Sequence, residues 1–425
     1  MESASMKLIA MGTLLLASVA QAAKPAAPTQ LVSDAALADA GLTLFWEARL
    51  PVATSETLKE AFLRDEALYV TTDRGAIYAL HAETGLLRWG QNLTEPAYRI
   101  FAPTHVQQAD ARGPVVIPTT TRVFIFDRYS GQKTTCFAPE FPISSPSVAY
   151  DDSVLMGSTN GHFYSFIVDP QRCADPVMRW EVTAGGPIQA SPILYGNRNL
   201  LIASRSGAIV SCFAPDKSLN WQYRAGGAVL ADPVVDASGI YIPCMDRSLY
   251  KLNADNGAFI WRALFSSPLS TGPTVAAQTI YQFCPDRGVT ALDAITGEQK
   301  WRNADADSFV SHSASGDILF GTPGRLFIVD HEKGERMAEV EVPRVRHAVA
   351  NPANDAAYLL GDQGRVLCIR LDKVPYLRRQ QIIMAQQQLN LPPVDESARG
   401  PNAVPTTRTT DRTSEDPFRS RRDKP

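Results

Sequence analysis

A period of about 40 residues runs through this chain, and it constrains the fold more than any other feature. Three segments line up most clearly: GAIYALHAETGLLRW (Gly75 to Trp89), SLYKLNADNGAFIW (Ser248 to Trp261) and GVTALDAITGEQKW (Gly288 to Trp301). Each holds an alternating apolar stretch, a turn ending in Gly, and a Trp four residues after that Gly. Anchors at Tyr78, Phe124, Tyr164, Val210, Tyr250, Thr290, Phe327 and Leu367 are spaced by 46, 40, 46, 40, 40, 37 and 40 residues. Segments such as LYVTT, IYIPC and AYLLG are β-branched or aromatic and bounded by turn residues, as strands are. Short strands at this period predict an all-β chain, an eight-bladed β-propeller of four-stranded antiparallel blades over residues 42–373.

Punctuation supports the period. Gly75, Gly161, Gly207, Gly288, Gly324 and Gly364 fall where the second strand turns into the third. Pro146, Pro192, Pro233 and Pro273 precede second strands, and a residue that cannot donate to a ladder belongs at the edge offered by the innermost strand. Trp89, Trp221, Trp261 and Trp301 each follow their anchor by 11 residues, and Trp180 by 16, because PQRCAD lengthens that turn. Trp46 has no anchor before it, while the last repeat, AYLLGDQGRVLCIRLDK, stops before a fourth strand. Leu42 to Leu50 therefore supplies the outer strand of the last blade and closes the ring. Six tryptophans at equivalent depth are packing between blades and not a ligand stack. Blades two and seven carry Thr135 and Ala338 at the Trp position, so weaker junctions are expected there.

The pattern LYVTTDRGAIYALHAETGLLRW resembles the repeat of pyrroloquinoline quinone (PQQ) enzymes and their non-catalytic relatives, over residues 42–373. The resemblance implies an eight-bladed ring. It also implies one of two functions. PQQ dehydrogenases are longer, carry a disulfide between adjacent cysteines and hold calcium through Glu, Asn and Asp. This chain has no adjacent Cys pair. It is more similar to the BamB-type propellers of the outer-membrane β-barrel assembly machinery, which are non-catalytic. Those carry a lipid on a Cys after the signal, and here the first Cys is Cys136.

Residues 1–22 have the layout of a secretory signal. Lys7 precedes an apolar run from Leu8 to Ala20, and Ala20-Gln21-Ala22 is a cleavage site, so the mature chain is expected to start at Ala23 and to be exported to the periplasm or secreted, not as a lipoprotein. The run is too short to span the ~30 Å hydrocarbon core of a bilayer. Residues 23–41 read as a flexible lead-in. Residues 374–425 read as a short helix, YLRRQQIIMAQQQLN, followed by a disordered tail rich in Pro, Thr, Arg and Asp. The mature chain has no transmembrane segment and is expected to be monomeric.

Lys+Arg at 41 against Asp+Glu at 44 leaves a net charge of −3, which gives no electrostatic reason for nucleic-acid binding. The six Cys make no CxxC pair, and the six His make no HExxH motif. Mostly free, buried thiols are expected: Cys244 and Cys284 share a repeat position, but neighbouring blades hold such positions farther apart than a disulfide spans. No catalytic, cofactor or metal residues are assigned. Residues ahead of the inner strands, Arg99, Gln189, His312, Arg346 and His347, should line one rim of the tunnel, where a binding function would sit. The expected function is a non-enzymatic scaffold for proteins of the bacterial envelope, with outer-membrane protein assembly as its narrower form. The alternatives are a PQQ- and calcium-dependent oxidoreductase and a ligand-binding or sensor propeller.

Overall fold

The computed structural model describes residues 31–106, 113–167 and 176–371, with Gln381 and Met384. It contains the eight four-stranded antiparallel blades of a propeller. Blade 5 shows the plan, with an inner strand Val234–Asp236, then Gly239–Cys244 and Ser248–Leu252, and an outer strand Phe259–Leu264. Its second and third strands are buried at every residue, whereas its outer strand is exposed or half-buried throughout. The middle strands lie between neighbouring blades and are covered on both faces. They therefore read as continuous apolar runs, which made the period visible. All eight anchors fall in third strands. Pro192, Pro233 and Pro273 stand immediately before inner strands, and Pro146 lies inside one, where its pairing register shifts.

The ring closes as expected. Thr43–Arg49 pairs with Arg365–Arg370 as the outer strand of blade 8, with Trp46 opposite Cys368. At six of the eight junctions a tryptophan joins one blade to the next. The indole Nε1 of Trp46, Trp89, Trp180, Trp221 and Trp301 donates to the carbonyl of Ala82, Arg128, Ala214, Ala254 and His331, at 2.8–3.1 Å. At the closing junction Trp46 lies on Gly85, where a Cβ would approach the ring to 2.5 Å and where φ is +69°. Only glycine satisfies both conditions.

Residues 31–41 are not a free lead-in. Ser33 caps a short helix, Asp34–Asp39. Leu31, Val32, Leu37 and Leu42 are buried in one cluster with Val340, Val342, Val345, Leu359 and Leu367, and Ala338 packs against it. Leu31 sits on Gly361 at one end of blade 8, and Thr43 pairs with Arg370 at the other. The segment thus runs along the seam between blades 7 and 8. The small Ala338 leaves room there, and the N-terminal leucines fill it instead of a tryptophan. At the junction after blade 2, Phe137, Phe141, Tyr164 and Phe166 fill the space, with Phe141 stacked on Tyr164 at 3.8 Å.

Cys136, Cys212, Cys244, Cys284 and Cys368 are free thiols, and all but Cys136 are buried. Burial pushes the thiols of Cys212 and Cys244 up to about 11 and that of Cys368 up to about 12. A second unit, Arg378–Pro425, includes Gln381 and Met384, both helical. The signal, residues 23–30, Cys173, and the rest of the expected helix and tail lie outside the described residues. Among the described residues no helix is long and apolar enough to cross a membrane.

Candidate interaction faces

Each inner strand runs from one face of the ring to the other. The first face carries the links between blades and the turns between second and third strands. The second face carries the turns after the inner strands and those before the outer strands.

On the first face, Arg99 and His347 come together around Glu60, a residue of the inner strand of blade 1 (Leu58–Arg64). The Arg99 guanidinium lies 3.6 Å from the Glu60 carboxylate and 5.3 Å from the centre of the Phe101 ring. Burial draws the His347 pKa below its ordinary value, Glu60 opposes that shift, and Arg346 adds to it. Arg346 and His347 lie within the inner strand of blade 8 (Val345–Val349) and not ahead of it. Gln189 is exposed in the link to blade 4, across the ring from this group.

His312 is not on this rim. It is near the end of the inner strand of blade 7 (Ser308–Ser313), where it pairs with Asp317, so it belongs to the second face. The polar sequence SFVSHS hid the start of that strand, which begins earlier than its composition suggests.

The second face holds the denser chemistry. His105 ends the inner strand of blade 2 and is buried. Its Nε2 is 2.8 Å from Tyr69 Oη, and its Nδ1 is 2.7 Å from Asp65 and 2.8 Å from Arg128. One nitrogen cannot both donate to Asp65 and accept from Arg128. The bond to Asp65 is shorter and charge-assisted, so we assign the proton to Nδ1 and let Tyr69 donate to Nε2. Arg128 then rests 3.6 Å from both Asp65 and Glu66. Burial lowers the His105 pKa against the pull of Asp65. Beside this cluster a cleft of about 660 Å³ is lined by His105, Tyr150, Asp151, Leu194, Tyr195 and Arg198. That volume suits a small ligand or a side chain of a partner. None of these residues stood out in the sequence, because they come from four different blades and meet only when blades 1 to 4 are placed in order.

An eight-bladed ring with this tryptophan docking and these two loop-lined faces defines a PQQ-like β-propeller. The sequence pattern of the PQQ_2 family, described as outer membrane protein assembly factor BamB, matches residues 33–134, 177–257 and 235–374, and the chain belongs to that family. Among solved structures it is similar to BamB from Moraxella catarrhalis, with 17% identity and a TM-score of 0.61, covering 79% of this chain and 99% of that one. It is also similar to the computationally designed Ika8 protein, at 11% identity and a TM-score of 0.56, with coverage of 76% and 98%. Saccharomyces cerevisiae Sqt1 has 9% identity and a TM-score of 0.58, with coverage of 76% and 97%. Likeness at these identities shows the fold alone. No curated protein matches the chain.

Proposed function

We propose that the chain is an exported, non-enzymatic scaffold of the bacterial envelope that takes part in assembling outer-membrane proteins. The family match over most of the propeller carries this reading. The surface supports it. Val177, Leu219 and Phe259 begin the outer strands of blades 3, 4 and 5 and are 62%, 60% and 53% exposed. Outer strands with free edges and apolar side chains suit addition of an extended partner segment. The signal-like segment before Ala23 supports export, and mass spectrometry of the native protein should begin at Ala23.

The deciding experiment removes the gene from its native bacterium and measures folded β-barrel proteins in the outer membrane. A fall that the wild-type gene restores, and that a Leu219→Glu/Phe259→Glu variant restores poorly, is the expected result. Unchanged barrel levels would end the assembly reading. Purified protein is also titrated with PQQ and calcium and assayed with alcohols and aldoses. Tight stoichiometric binding with turnover would replace the scaffold with the oxidoreductase.

A further inference from the structure

We propose that His312, Asp317 and His331 form a binding site for a divalent transition metal of the zinc class, on the second face at the junction of blades 6 and 7. The inference is independent of the function proposed above.

The repeat itself marks the site. Asp317 is the second residue of its strand (Gly316–Gly321) and pairs with Val329. The equivalent residue is Leu68 in blade 1, Ile240 in blade 5 and Ile280 in blade 6, and it is aliphatic in the remaining blades as well. A carboxylate with no exposed surface thus stands where seven other blades place an apolar side chain. Burying such a group is unfavourable unless it is paired or bound to metal. His331 is a second departure. Its carbonyl accepts the Trp301 indole, a task that falls to Ala82, Ala214 and Ala254 in blades 1, 4 and 5 and to Arg128 in blade 2. His312, opposite Asp317, is a third: Leu63, Val235 and Val275 hold that place in blades 1, 5 and 6, and the histidine there in blade 2, His105, stands opposite the apolar Val115 and not a carboxylate.

These three departures converge on one point. His312 Nδ1 and His331 Nδ1 lie 2.7 and 2.9 Å from the same oxygen of Asp317, and the two rings are 4.4 Å apart. The three donor atoms lie within 4.8 Å of one another. Ligands of a tetrahedral zinc at ~2.0–2.1 Å stand about 3.3 Å from each other, so a small rotation of either imidazole admits the ion. Two nitrogens and one oxygen suit zinc and its neighbours better than calcium or magnesium, which prefer oxygen alone. Tyr281 reaches over from blade 6 and donates to the other Asp317 oxygen at 2.5 Å, which fixes the carboxylate from behind. The His312 and His331 side chains are 26% and 27% exposed, which leaves an entry path and an open coordination position toward solvent. The acidic group around His105 lacks this fit, because Arg128 already lies 3.6 Å from both of its carboxylates.

The test uses the full chain without a polyhistidine tag, titrated with Zn²⁺ alone by calorimetry, and with Co²⁺ by visible absorption. Calcium and magnesium serve as controls. The expected result is one Zn²⁺ per chain, four-coordinate Co²⁺ bands, and a zinc-dependent rise in melting temperature. His331→Ala and Asp317→Leu restore residue types that other blades carry, so both should fold, and each should weaken zinc binding about hundredfold or more. His312→Gln, at a part-exposed position, provides a third variant. Absence of zinc binding by the wild-type chain overturns the proposal. So does binding that these variants leave unchanged.

Discussion

Lys251 and Trp261 stand opposite each other in blade 5, and the lysine takes the carbonyl that the tryptophan would use. Lys251 Nζ donates to Ala294 O at 2.6 Å, while the buried Trp261 Nε1 has no hydrogen-bond partner. At the other tryptophans the opposite residue is small: Ala79, Ser165, Ser211, Ala291 or Cys368. One long side chain at this place therefore breaks the rule by which five other junctions are tied.

Replacing Lys251 by Met should raise the melting temperature at pH 7. The change keeps most of the stem's volume, removes a buried ammonium, and frees Ala294 O for Trp261. Burial holds the Lys251 pKa below its ordinary value, against the pull of Asp236 and Asp293. The folded state therefore resists the charged form, and the cost that Lys251 itself imposes is relieved as pH rises toward the unfolded lysine value of about 10.4. The gain from Lys251→Met should be largest near pH 7 and should shrink toward pH 10. Thermal melts at both values check this, and a gain that grows with pH counts against it.

Trp46 is 1% exposed and ties the outer strand of blade 8 to blade 1. Trp46→Ala should cost about 3–5 kcal/mol in chemical denaturation. Removing residues 42–50 should do more, because it bares the edge of the strand Arg365–Arg370 and invites association. A deletion variant that stays monomeric and melts like the wild type would falsify closure by this strand.

The seam between blades 7 and 8 gives a separate test of the N-terminal segment. Leu37→Ala should cost about 2–5 kcal/mol, as for other buried leucines. A chain beginning at residue 42 should lose at least as much, since Leu31, Val32 and Leu37 leave the cluster together. If both variants unfold at the wild-type denaturant concentration, the segment contributes nothing to the seam.

The parts of this fold that showed in the sequence are those that the ring repeats. Tyr78, Tyr250 and Thr290 could be aligned because each sits in a strand covered on both sides, so its neighbours must be apolar in every blade. The tryptophans showed for the same reason. Residues 31–41 did not, because a six-residue helix with one fully covered leucine carries too short a pattern. The faces were the least legible. His312 lies on the second face because its Ser-rich strand begins at Ser308, earlier than composition suggests, and Glu60 meets Arg99 from the next blade, 39 residues away. A signal for the His312 group was nonetheless present. Asp317 stands in an aliphatic column of the repeat, and His331 in a column that holds Ala82, Ala214 and Ala254 in blades 1, 4 and 5.

The buried thiols set a limit on stability in base. Cys212, Cys244 and Cys368 lie in strands packed between blades, and burial raises their pKa to about 11, 11 and 12. An unfolded cysteine ionises near 8.5, so between that value and the folded one the unfolded chain has lost protons that the folded chain still holds. Stability is then complete below about pH 8.5 and falls as pH rises, by about 1.4 kcal/mol per unit for each such thiol. Tyr241, whose burial raises its phenol to about 12, adds to the loss above pH 10. Denaturation midpoints should therefore stay level up to about pH 8.5 and then drop steeply. Cys368→Ala shortens a side chain that packs against Trp46, so it should be less stable at pH 7, yet its midpoint should fall less between pH 8.5 and 11. Equal slopes for the variant and the wild type would show that Cys368 ionises as freely in the folded chain as in the unfolded one.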